Sequence, residues 1–351
     1  MAPNNRILDL FGIERPIVQA PMAGATTPEM VIAASDAGGL GSLPGAALSV
    51  GQMTAALETI RAATAKPINL NFFAHTAPPA DPAAQMAWRA RLAPYYVDRG
   101  LDPAAPLPSG GRAPFDDAYC ELVEAYRPEV VSFHFGLPHG ALLDRVKHAG
   151  AKVIASATTV AEARWLAERG VDAVIAMGYE AGGHRGNFLV DDMATQVGTM
   201  ALVPQVVDAV QVPVIAAGGI ADPRGVRAAF ALGASAVQVG TAYLFTPEAS
   251  ITAFHREALH AATDDGTAVT NVFTGRPARG ILNRLMREVG PLSAVAPAFP
   301  TAAAALAPLR AVAEKANEPD FSNMWAGQAA ALARDMTSAE LTRYLGDAAH
   351  G

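Results

Sequence analysis

Ala173-Val-Ile-Ala-Met-Gly-Tyr-Glu-Ala-Gly-Gly-His-Arg-Gly186 begins as a short apolar run, Ala173–Met177, and breaks at once into glycines carrying one histidine and one arginine. The run reads as a buried strand. A strand that ends in a Gly-rich loop with an ionisable side chain is where an α/β protein places its chemistry. Gly182 and Gly183 lack a Cβ, so backbone there can approach a flat or phosphorylated ligand. His184 is the one residue of the loop that exchanges a proton near neutral pH. A histidine between Gly-Gly and Arg-Gly has little apolar core to fill, which makes it the candidate catalytic residue.

Outward from this loop the same grammar recurs. Strands are expected at Pro16–Ala20, Gly39–Leu43, Ile68–Phe72, Val130–Phe133, Lys152–Ser156, Ala173–Met177, Val214–Ala217 and Ala236–Val239. Helices are expected between them at Pro28–Ala37, with Thr27 as N-cap, and at Val50–Ala63, Phe115–Tyr126, Ala141–Ala149, Thr159–Arg169, Leu202–Val210 and Pro223–Leu232. Eight such units argue for an α/β fold of the (β/α)8 TIM-barrel type, because parallel strands buried on both faces are short and continuously apolar. An open doubly wound sheet is the alternative. It is disfavoured because no unit carries a G-x-G-x-x-G fingerprint with a later acidic residue. The rhythm breaks at a Pro-rich insertion after the third strand, residues 74–114, which holds an expected helix at Ala84–Ala93 and Pro94-Tyr-Tyr96. The reading divides the chain into a barrel, residues 1–262, and a C-terminal extension, residues 263–351, folding over the barrel mouth with a helix near Ala302–Lys315.

The totals narrow the class. The chain has 351 residues, 51% of them apolar, enough for one large core. A net charge of −7 gives no electrostatic case for nucleic acid. One cysteine, Cys120, excludes an internal disulfide and a Cys-based metal cluster, and points to a reducing compartment. No apolar run reaches the roughly 20 residues of a membrane span, and no signal pattern opens the chain. A cytoplasmic enzyme without a metal is the expectation.

Ligands of a barrel bind at the C-terminal strand ends. Those ends offer Pro21, Met22 and Ala23; Asn69 and Asn71; Phe133, His134 and Phe135; Ser156 and Thr158; Gly182–Arg185; Gly218 and Gly219; and Gln238, Val239, Gly240 and Thr241. The last two groups are Gly turns at adjacent strand ends, where barrels often hold a phosphate on backbone N–H groups. Met22 and the asparagines suit a flat isoalloxazine ring, which favours FMN over a dinucleotide. His134 reads as a core histidine of the pocket wall and stays outside the catalytic set. Arg185 reads equally as a loop brace or a substrate contact. Tyr95 and Tyr96 are placed in the pocket wall, and Trp325 in the packing of the extension. Arg276 and Arg279 are read as ordering the extension, Cys120 as the buried face of a helix.

Nine stretches give the sequence a family resemblance. They are Gln19-Ala-Pro-Met-Ala-Gly24, Asn69-Leu-Asn-Phe-Phe73 with His75, Pro94-Tyr-Tyr96 with Gly100-Leu-Asp102, Val131-Ser-Phe-His-Phe-Gly136, Glu180-Ala-Gly-Gly-His-Arg-Gly186, Ala216-Ala-Gly-Gly-Ile-Ala-Asp222, Gln238-Val-Gly-Thr241, Phe273-Thr-Gly-Arg-Pro-Ala-Arg-Gly280 and Trp325-Ala-Gly-Gln328. With these the chain resembles the class I nitronate monooxygenases, FMN-dependent barrels. The resemblance implies FMN phosphate on Gly219 and Gln238–Thr241, and the ring near Met22, Asn71 and Gly182. It implies His184 as catalytic residue and oxidation of alkyl nitronates by O2 to a carbonyl compound and nitrite. Expected partners are a small nitronate and O2; a homodimer is compatible with the reading. The chain departs from the family at Met177, where Gln is frequent, and at Phe299, where Tyr is typical, so Phe299 is counted in the pocket. Two alternatives stay open: an FMN-dependent NAD(P)H:quinone or enoyl reductase, and a flavin-binding protein without turnover. An IMP dehydrogenase-like barrel is rejected, because Cys120 falls in a helix.

Overall fold

The structure, a computed structural model, describes residues 6–108 and 112–350. Eight parallel strands build one sheet: β1 Ile17–Gln19, β2 Gly41–Pro44, β3 Ile68–Phe73, β4 Val130–His134, β5 Lys152–Ala157, β6 Ala173–Met177, β7 Val214–Ala217 and β8 Ala236–Val239. Their order is β1-β8-β7-β6-β5-β4-β3-β2. A parallel bridge between Val18 and Leu40 joins the two outer strands. There Gln19 N donates to Leu40 O at 3.0 Å and Leu40 N to Ile17 O at 2.9 Å, so the sheet curls into a barrel. The expected strands are all present, and the expected α/β barrel is the fold.

The period of two along each strand divides the side chains between lumen and helix layer. On β5, Val153 and Ala155 pack outward against helices while Ile154 points into the lumen. On β6, Val174 and Ala176 face out and Ala173 and Ile175 face in. The base of the lumen is closed by a helix absent from the sequence reading, Arg6–Phe11, whose Ile7 and Phe11 pack with Val18, Leu40, Ile154 and Ile215. Higher up, β3 and β4 turn polar inward. Asn69 Nδ2 donates to Ser42 Oγ at 3.0 Å and Ser132 Oγ at 2.9 Å, and Asn71 Nδ2 donates to Ser132 Oγ at 2.9 Å.

Two parts sit outside this scheme. The insertion helix runs Pro82–Asp98, longer than the expected Ala84–Ala93, and continues through Pro94. Asp81 caps its start by accepting from Ala84 N at 2.9 Å. Trp88, Leu92, Tyr95 and Tyr96 share a core with Leu306 and Leu309 of helix Ala303–Lys315. Trp88 Nε1 donates to Ala302 O at 3.2 Å and Tyr96 Oη to Ala305 O at 2.6 Å. This packing outweighs the hydrogen bond lost at Pro94. The chain then returns to the barrel: helix Ser338–Gly346 sends Leu341 and Leu345 into the outer barrel core, and Thr342 Oγ1 pairs with Tyr243 Oη at 2.7 Å. Among the described residues no helix is long and apolar enough to cross a membrane.

Glu162, in the first turn of helix Val160–Glu168, is 1% exposed. Its carboxylate accepts from Thr158 N and Thr158 Oγ1, both at 2.7 Å, and from Phe188 N at 2.6 Å and Leu189 N at 3.2 Å. It thus ties the β5 turn to the segment that follows the Gly loop. Removing it strands four donors. Glu162→Ala is expected to cost about 3 kcal/mol or more in urea unfolding; a loss below about 0.5 kcal/mol would show that water replaces it.

Candidate active site

A cavity of about 490 Å3 opens at the C-terminal strand ends. Period two aims one set of side chains into it: Asn71 from β3, His134 from β4, Ser156 from β5, Met177 from β6 and Gln238 from β8. The turns add Pro21, Met22 and Ala23, then Gly182, Gly183 and His184, then Gly218, Gly219, Gly240 and Thr241. Most of the residues expected at the site are therefore brought together.

Four expectations need correction or refinement. Tyr95 and Tyr96 are not pocket wall: both are buried in the core between insertion helix and extension, held there by the apolar face of that helix. Val239 alternates with Gln238, so its side chain enters the outer core, and its carbonyl accepts from Ala20 N at 2.8 Å. Thr158, at a strand end, is turned to Glu162 rather than to the cavity. Phe299 belongs to the aromatic wall behind the histidine, its ring 5.4 Å from that of His184.

The loop that carries His184 is held by a buried arginine. Arg185 is fully buried; Nη1 donates to Gly178 O at 2.6 Å, Nη2 to Met177 O at 2.9 Å and Nε to Gln196 Oε1 at 3.0 Å. These contacts resolve its open role: it is a brace of the loop against the end of β6. Arg279 does the same from the other side, donating to Tyr179 O at 3.1 and 3.0 Å, while its guanidinium lies 4.8 Å from the Tyr179 ring. Gly183 and His184 pair as a short strand with Arg279 and Ala278, in a small antiparallel sheet completed by Thr267–Thr270. Glu180 accepts from Thr199 N at 2.9 Å and Thr199 Oγ1 at 2.8 Å, capping helix Thr199–Ala209, whose own N-cap is Gly198.

His184 sits in an aromatic cage. Its ring lies 6.1 Å from Phe73, 6.0 Å from Phe135 and 5.4 Å from Trp325. Nε2 is within 2.9 Å of Thr274 Oγ1, leaving Nδ1 as the ring nitrogen for a ligand. Burial first, then the charges of Arg112, His134, Arg276 and His75, hold its pKa well below 6.5, so the imidazole is neutral at pH 7. His134 is also pushed down by burial, to about 4. It bridges Ser156 Oγ at 3.0 Å and the carbonyl of His184 at 3.1 Å, a supporting position.

On the opposite side of the cavity the backbone is prepared for close approach. Gly218 and Gly219 take φ of +107° and +72°, values that favour glycine. Gln238 Oε1 is buried without a protein partner. Thr241 Oγ1 accepts from Gly327 N at 2.9 Å, and a Cβ on Gly182 would stand 2.5 Å from the same nitrogen, so the extension segment Trp325–Gln328 lies directly on the Gly loop. Such an arrangement can hold a phosphate at the glycine turns and a flat ring towards His184.

The residues missed by sequence reasoning are Thr274, Trp325 as a cage wall, and Arg112. Thr274 and Trp325 lie in quoted stretches, but nothing local tells which strand end a segment 90 positions away will reach.

Comparison with known proteins agrees with this geometry. A family model described as "Nitronate monooxygenase" matches residues 4–346. A nitronate monooxygenase of Pseudomonas aeruginosa is 41% identical over 97% of this chain and 98% of its own. The crystal structure of nitroalkane oxidase from Streptomyces ansochromogenes superposes with a TM-score of 0.88 at 36% identity, covering 98% of this chain and 97% of that one. FabK from Thermotoga maritima superposes with 0.72 at 29% identity, covering 98% and 95%.

Gly182→Ala is expected to separate the Gly loop from Gly327, lowering the melting temperature and weakening retention of any cavity ligand by about tenfold or more. An unchanged melting temperature would show that the extension yields. Replacing Arg185 by Met removes its hydrogen bonds to Gly178 O, Met177 O and Gln196 Oε1, and a loss of about 3 kcal/mol in unfolding is expected; a change under about 1 kcal/mol would count against the brace.

Proposed function

This chain belongs to the nitronate monooxygenase family, and from that premise we propose that it binds FMN in the cavity and uses His184 to oxidise nitronates with O2 to a carbonyl compound and nitrite. The observation that carries the reading is the neutral, caged imidazole of His184 facing the same cavity as the glycine turns. The cavity residues fit a flavin mononucleotide. Gly218, Gly219, Gly240 and Thr241 offer a phosphate cradle, and the partnerless Gln238 Oε1 and the Asn71 amide offer groups for ring edges. When bound, FMN supplies the electron acceptor and the reaction with O2.

The protein's part is protonic and steric. Thr274 Oγ1 can accept from or donate to Nε2 of His184. With Nε2 protonated, Nδ1 is an acceptor able to take a proton from the carbon beside a nitro group. With Nε2 accepting from Thr274, Nδ1 carries the proton and can donate it as a hydrogen bond to a nitronate oxygen. One uncharged histidine thus serves as a base toward a neutral nitroalkane, becoming imidazolium as the nitronate forms, and as a hydrogen-bond donor toward the conjugate anion. Phe73, Phe135, Phe299 and Trp325 keep water from the ring, which keeps the imidazole neutral and the hydrogen bond strong. A single buried thiol, Cys120, supports a cytoplasmic location.

The test is anaerobic mixing of FMN-loaded protein with propionate 3-nitronate while the flavin spectrum is recorded. Bleaching of the oxidised band is expected. No change with nitronate, followed by bleaching with NADH, would move the assignment to a reductase. His184→Asn is expected to slow proton abstraction from a neutral nitroalkane by about 10²–10⁴-fold. The acid limb of kcat/KM is expected below pH 6.5, because burial disfavours the protonated ring; a limb at or above 6.5 would place the imidazole in a wetter, unshifted environment.

A further inference from the structure

The basic side chains around the cavity are nearly all spoken for. Arg185 and Arg279 donate to backbone carbonyls. Arg276 donates to the Asn187 carbonyl and lies 4.1 Å over Phe135. Arg310 pairs with Glu314 at 2.6 Å and donates to Asn323 at 3.0 Å. Arg112 differs. It lines the cavity together with His184, and its guanidinium carbon lies 5.8 Å from the centroid of Phe73, a wall of the His184 cage. Among the described residues no Asp or Glu pairs with it.

A half-buried guanidinium without a counter-ion is costly, and an anion entering the cavity offsets that cost. His184, being neutral, does not balance the charge of that anion. A nitronate is planar, with its negative charge shared by two oxygens, and the guanidinium fork matches such a pair. We propose that Arg112 is the positioning residue that holds the two oxygens of the anionic substrate and orients its carbon toward His184. This inference rests on the nitronate reading of the same cavity and names the residue that selects the anion. Arg112 provides the charge; His184 provides or takes the hydrogen-bonding proton. The division predicts that affinity and proton chemistry fail separately when the two residues are replaced.

The experiment uses FMN-loaded full-length protein and nitrate, a planar inert oxyanion, titrated while the visible flavin spectrum is followed. Arg112→Met is expected to weaken nitrate binding by about tenfold or more, and to raise KM for propionate 3-nitronate by a similar factor with kcat falling less. Arg112→Lys is expected to recover part of the affinity, since it keeps the charge and loses the fork. A third readout is electrostatic. His184 is faced by Arg112, His134, Arg276 and His75. Removing Arg112 deletes one positive neighbour, so the acid limb of kcat/KM moves upward toward 6.5. A merely structural arginine would leave that limb in place. The proposal is overturned if nitrate affinity and KM of Arg112→Met stay within about twofold of the parent while the parent bleaches with nitronate. If Arg112→Met fails to load FMN, Arg112→Gln is read by the same criteria. Failure of the parent itself to bleach with nitronate would fall on the functional reading, whereas nitrate binding lost in Arg112→Met would still establish the anion site.

Discussion

A single buried guanidinium fixes the geometry of the site. Arg185 follows His184 in the chain but points the other way, into the barrel end, where it binds the carbonyls of Met177 and Gly178. A strand that runs into glycines has no side chains with which to hold its own continuation. The carbonyls at its end are also left without ladder partners. Arg185 meets both needs, and in doing so turns residue 184 toward the cavity. Gln196 takes the remaining Nε proton and passes its own amide to Thr158 Oγ1 at 3.0 Å, which is bonded to Glu162. The loop is thereby wired to the β5 turn through groups that are buried, apart from the half-buried Gln196. A network of this kind is stiff, because each member loses a partner if any one moves.

Around this brace the extension acts as a second wall. The pairing of Gly183 and His184 with Ala278 and Arg279 makes the Gly loop the edge strand of a small sheet whose other strands come from beyond the barrel. The connection between those two strands brings Thr274 to the imidazole. The cage of aromatic rings mixes origins too: Phe73 and Phe135 come from barrel strand ends, Phe299 and Trp325 from the extension. The depressed basicity of His184 is thus a property of the assembled walls, which bury the ring together.

Much of the barrel was legible because its strands are short apolar runs punctuated by Gly and helix caps. Thr27, expected as an N-cap, accepts from Met30 N at 3.2 Å. The glycines of the Gly loop and of the seventh and eighth turns also stood out, since only a backbone that needs room or an unusual φ spends two glycines at a strand end. What escaped were residues whose position depends on distant packing. Tyr95 and Tyr96 look like pocket aromatics in a Pro-rich insertion; helix Ala303–Lys315 claims them, and periodicity within the insertion cannot reveal that partner. Val239 was counted with its neighbours in one turn, although strand alternation already sends it outward. Arg112 and Thr274 carry no local pattern and become visible only when the walls are folded against His184.

Helix Ser338–Gly346, which returns to the barrel after the extension, has a kinetic meaning. It packs on elements from the opening of the chain: Gly346 lies against Arg15, and the Arg15–Asp347 ion pair joins positions 332 apart. Contacts so far apart in sequence must meet a loop-closure entropy before they contribute. During synthesis this part of the first strand's cover is added only when nearly the whole chain has emerged. The outer cover of the first strand is completed last, by residues that lie far from the cavity.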